Sequence, residues 1–109
     1  MPYNLDLEYR IDRLIDRFGV IIKKKMFGGV YYLMNGNICL GIHKEYLVIR
    51  TSIEKADELL QEEYITLFDI TNKPSKSWLM VSPDHVETDE QLFDMLKLSI
   101  DFTENLPGK

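Results

Sequence analysis

A few short stretches of the chain hold side chains whose types and spacing could do chemistry. Cys39 and His43 offer a thiol with a base, or two metal ligands. They stand four apart, which on a regular strand puts both on one face but about 13 Å from each other, too far to share a zinc ion. The same span keeps His43 from serving Cys39 as a base. Ser82, Asp84 and His85 supply the three residue types of a hydrolytic triad in one short run. A triad is set by geometry rather than by adjacency, and this run reads as a Pro-Asp loop ahead of a helix. Gly28-Gly29 invites a phosphate-cradling reading. Such loops lead into a helix N-terminus, whereas here another apolar run follows, so the pair reads as a bend or bulge. No catalytic, cofactor or metal-binding set is expected.

Binding chemistry is the next class. Lys23-Lys24-Lys25, with Arg10, Arg13 and Arg17 behind it, suggests nucleic acid. On a strand at most two of the three lysines share a face, and no aromatic residue interleaves to stack bases. A charged edge strand that resists aggregation explains the run as well. Arg50 closes a strand just before a helix. It reads either as an ion pair with a neighbouring acid or as an anchor for an anionic ligand or a partner's carboxylate. Met26 and Phe27 read as core or packed edge; an exposed Phe27 beside two glycines would instead mark a contact surface. Trp78 is expected in the sheet–helix core.

These residues need elements to hold them. Asn4 can cap a helix whose apolar face is Leu7, Ile11, Leu14, Ile15 and Phe18, with Gly19 at its end. Val30–Met34 and Asn37–Ile42 flank Asn35-Gly36, and Asn-Gly between two such runs predicts a type I′ hairpin. Tyr46–Thr51 follows as a strand. Thr51-Ser52-Ile53-Glu54 fits a capping box opening a second helix. Tyr64–Ile70 and Ser77–Ser82 read as strands around a turn-rich loop at Thr71–Lys76. Thr88-Asp89-Glu90-Gln91 opens a last helix that runs to about Asn105. The order is α-β-β-β-α-β-β-α. It predicts a two-layer α+β fold with an antiparallel sheet of about five strands flanked by helices.

Composition sets the outer limits. The chain has 109 residues, 45% hydrophobic and 28% charged, which fits one globular domain over residues 1–109. A single cysteine excludes an internal disulfide framework and agrees with a reducing compartment. No basic-then-apolar leader opens the sequence and no apolar run approaches the roughly 20 residues of a membrane span, so a cytoplasmic protein without membrane contact is expected. Residues 1–50 hold eight Lys/Arg against five acids, and residues 51–109 five lysines against thirteen acids. The net charge of −5 repels phosphates at long range, which makes nucleic acid a disfavoured partner.

The block Met26-Phe27-Gly28-Gly29, the apolar run Val30–Met34, the turn Asn35-Gly36 and the strand Leu47-Val48-Ile49-Arg50 together resemble the TfoX/Sxy N-terminal domain family. Trp78-Leu79-Met80-Val81 and the closing Leu106-Pro107-Gly108-Lys109 add to the likeness. The resemblance covers about residues 5–109. It implies a bacterial protein with a fold similar to type III secretion chaperones, a helix-flanked antiparallel sheet. Members that regulate natural competence carry a second domain after this one, and the chain reads as a stand-alone first domain. The resemblance brings no catalytic residues with it. The expected function is a non-enzymatic protein-binding, adaptor or regulatory domain that uses no cofactor. The alternatives are a chaperone-like client binder and a weak nucleic-acid-associated regulator. An open sheet edge would also admit a homodimer.

Overall fold

The computed structural model describes residues 3–19, 21–68 and 77–108. Helix α1 (Leu5–Ile15) starts where Asn4 accepts a side-chain hydrogen bond from the Leu7 N–H. A short 3-10 turn over Asp16–Phe18 carries it to Gly19, whose φ of +95° suits glycine. Four strands follow: β1 (Ile22–Met26), β2 (Gly29–Met34), β3 (Asn37–His43) and β4 (Tyr46–Arg50). Then come α2 (Ile53–Leu59), β5 (Ile65–Leu67), β6 (Trp78–Val81) and α3 (Asp89–Thr103). The six strands form one antiparallel sheet in the order β1-β2-β3-β4-β6-β5. No helix among the described residues is long and apolar enough to cross a membrane.

The α+β architecture is the expected one, with six strands where the sequence outlines about five. The strand left out of that count is β1, which carries the lysine run and stands at the edge of the sheet, as the charged-edge reading of Lys23–Lys25 expects. The cap of α2 also moves by one residue: Ser52, not Thr51, accepts from the Lys55 N–H. The box at α3 is present in full, with Thr88 and Gln91 each bonded to the other's backbone. The strand expected over Tyr64–Ile70 is the shorter β5, and the loop at Thr71–Lys76 lies outside the described residues.

Register explains the core. Val30, Ile42, Leu47, Val81 and Ile65 line up across five strands, all buried. Tyr32, Leu40, Ile49 and Leu79 form the next row. Leu7, Ile11 and Leu14 of α1 and Leu92, Leu96 and Ile100 of α3 cover this face. Each such side chain contributes about 1.5–3 kcal/mol by leaving water. On the opposite face Lys24, Tyr31, Gly41, Val48, Met80 and Thr66 share a row. There the Tyr31 ring lies over Gly41, where any Cβ would strike it.

The strand pairing shifts between Tyr32 and Leu33, which leaves Cys39 as an extra residue on β3. Cys39 therefore turns into the helix-covered core, fully buried. His43 lies on the other face, where its ring meets Phe68. The regular strand that would align Cys39 with His43 is thus interrupted, and the two are on opposite sides of the sheet.

Candidate functional site

Met26-Phe27-Gly28-Gly29 is the turn between β1 and β2. Phe27 has φ +54° and Gly28 φ +74°, the two positive values that a type I′ hairpin turn requires. Asn35-Gly36 makes the second such turn, at +53° and +82°. Asn and Gly suit that geometry. Phenylalanine does not: a left-handed backbone costs an ordinary L residue roughly 1–2 kcal/mol. The bend expected at the two glycines is therefore a tight hairpin, and each glycine has its own reason. Gly28 supplies the positive φ. At Gly29 a Cβ would overlap the Ile42 carbonyl oxygen of β3.

This turn holds Phe27 out in solvent, 57% exposed, with its edge toward the Tyr31 ring. Met26, the residue before it, is half-buried. A shallow hollow of about 290 Å³, lined by Tyr3, Lys25, Met26, Gly28 and Gly29, lies alongside. At the other end of β1, Ile22 is 59% exposed. Among the described residues β1 pairs only with β2, which leaves its outer backbone edge without a strand partner.

The lysines of β1 differ in their surroundings. Lys23 faces α1 and bridges Glu8 at 2.9 Å and Asp12 at 2.8 Å. Asp12 also accepts from the Tyr32 hydroxyl at 2.7 Å. Burial works against the Lys23 charge, yet the two carboxylates prevail and raise its pKa above the ordinary lysine value. Lys24 and Lys25 are exposed, with no ion pair among the described residues. Of the arginines grouped with them, Arg10 reaches Asp89 and the Glu87 carbonyl, and Arg17 stacks on Phe93.

Arg50 occupies a second place of interest, where β4, β6 and α3 meet. The acid expected beside it is absent among the described residues. Its guanidinium lies instead over the rings of Trp78, 5.2 Å away, and Phe102, 5.8 Å away. Trp78 is therefore half-buried beside a cation rather than sealed in the sheet–helix core. Phe102 was not recognisable from sequence, because only the packing of α3 brings it to Arg50; its one signal is an aromatic residue on the half-exposed flank of that helix.

The remaining candidates have structural roles. Ser82 caps a 3-10 turn by accepting from the Asp84 N–H, while His85 stacks on Tyr64 at 3.3 Å. The Cys39 thiol is pushed up to about 11 by burial, which the Thr103 and Ser99 hydroxyls only partly offset. A thiol in that state is a poor nucleophile. Among the described residues no three His, Cys, Asp or Glu side chains are grouped to hold a metal ion.

Comparison with curated proteins and with solved structures gives no match. A model of the TfoX N-terminal domain matches residues 13–103, a span that runs from the last turn of α1 to the end of α3 and takes in the Phe27 hairpin, Arg50 and Trp78. The chain belongs to the TfoX N-terminal domain family.

Proposed function

We propose that this is a non-catalytic protein-binding domain whose contact surface is the β1 edge together with the Phe27 hairpin tip. The observation that carries the reading is Phe27 itself: a large apolar ring held in solvent on a backbone conformation that costs folding energy. Strain of this kind clusters at binding and active sites, and here it falls on a large apolar ring rather than on a polar turn residue such as Lys44. A partner that covers the ring recovers its apolar surface, and the hollow beside the turn receives a partner side chain in return.

The open β1 edge favours a partner that adds an extended segment. Lys24 and Lys25, both exposed, favour acidic residues in that segment. The same charges weigh against self-pairing at this edge, since two antiparallel copies of β1 would set lysine opposite lysine. Nucleic acid fits less well, because Lys23 and Arg10 are already engaged by the protein's own carboxylates.

The test is affinity capture from the native extract with and without nuclease, using the natural chain and Phe27→Asn. Asparagine suits the turn and keeps the domain folded, as a thermal melt will show. The expected result is a stoichiometric protein partner that survives nuclease and is lost with Phe27→Asn. Capture that nuclease abolishes, or that Phe27→Asn leaves intact, overturns the reading.

A further inference from the structure

Arg50 carries a charge that no carboxylate matches among the described residues, at a position built by three separate elements. β4 supplies the arginine, β6 the Trp78 ring and α3 the Phe102 ring. Its backbone is fixed as well, because the Arg50 N–H donates to Ser99 Oγ at 2.8 Å. Among the described residues the guanidinium's only hydrogen bond is a long one, from Nη1 to the Ile38 carbonyl at 3.4 Å. Nε is buried with no partner among the described residues. No carboxylate pairs with the group among the described residues, and burial pulls its pKa below the ordinary arginine value. The group stays protonated all the same. A charge that is partly desolvated and has no anionic partner among the described residues is costly, and an anion arriving from outside would relieve that cost.

We propose that Arg50, held between Trp78 and Phe102, is a recognition site for a carboxylate. A planar carboxylate matches the guanidinium end-on, across Nη1 and Nη2. The two rings shield the pair from water, which strengthens it. One cation balances one carboxylate, whereas a phosphate dianion calls for more positive charge than the described residues place here. The site is separate from the Phe27 hairpin and stands or falls independently of it.

Trp78 is the chain's only tryptophan, so its fluorescence reports on this site directly. Propionate serves as the probe for a free organic acid, and an end-capped glutamate peptide as the probe for a protein side chain. Inorganic phosphate and chloride at matched ionic strength complete the set. The expected result is a saturable change with one or both carboxylates, the tighter probe identifying the source. Arg50→Gln abolishes it. Arg50→Lys keeps the charge but loses the planar fork, and binds about tenfold more weakly. If Arg50→Gln melts early, Phe102→Leu provides the second variant, with weakened binding in a domain whose arginine is intact. A carboxylate response no different from that of chloride, tighter binding of phosphate, or a response that survives Arg50→Gln overturns the proposal.

Discussion

The Ser99 hydroxyl accepts the backbone N–H of Arg50 at 2.8 Å, and this bond ties the middle of α3 to the end of β4. The same oxygen lies within donating distance of the Cys39 and Arg50 carbonyls. Cys39 is the residue displaced by the shift in pairing along β3, so α3 satisfies a backbone group that the sheet's own ladder does not. One small polar side chain, fully buried, thereby fixes both the irregular strand and the base of the Arg50 site.

Ser99→Ala should therefore destabilise the domain by about 1–3 kcal/mol, the cost of leaving buried backbone groups unpaired. Urea unfolding measures it. The substitution should also lower the affinity of carboxylates at Arg50, since the backbone beneath that side chain loses its fastening. A change smaller than about 0.5 kcal/mol would show that the bond contributes nothing beyond an ordinary surface contact.

The two glycines of the hairpin make a contrasting pair. Gly28→Ala meets open space but keeps a φ of +74°, so it should cost about 1–2 kcal/mol of backbone strain. Gly29→Ala drives a methyl group into the Ile42 carbonyl of the neighbouring strand, where neither backbone can yield without disturbing the sheet. It should cost about 3 kcal/mol, at the upper end for overpacking. Thermal melts of the two variants side by side check the order. Equal losses would mean that the turn, not the approach of β3, sets the requirement at Gly29.

That contrast shows which parts of the molecule local chemistry spells out. Asn35-Gly36 announces its turn because both residue types tolerate positive φ. Asn4 and the Thr88–Gln91 box announce their helices because caps are local. Phe27-Gly28 forms the same turn without the same lettering: a bulky aromatic is what turn chemistry argues against, so the sequence yields a bend without its geometry. Strand β1 is legible as a charged edge, but not that Lys23 is held apart from Lys24 and Lys25, because the carboxylates that balance it belong to α1. The surroundings of Arg50 are tertiary throughout. Its ring partners come from β6 and α3, and nothing near Arg50 in the chain foretells an aromatic pair in place of an acid.

Alkaline pH should loosen the fold, for reasons that can be signed. Burial raises the pKa of the Cys39 thiol from 9.0 to about 11. Burial also raises the Tyr31 phenol, whose hydroxyl has no partner among the described residues. Tyr32 is raised as well, first by burial and then by its bond to Asp12. In the unfolded chain the thiol ionises near 9.0 and the phenols near 10.0. Above those values the unfolded state has released protons that the folded state still holds, so stability falls as pH rises. Urea melts should be flat on this account below about 9, decline from there, and steepen once the phenols join near 10. Cys39→Ala should remove the first part of the decline and leave the second, with Tyr31 and Tyr32 resisting ionisation until the domain unfolds. A Cys39 that reacts with a thiol reagent in the folded protein at neutral pH would contradict both its burial and this profile.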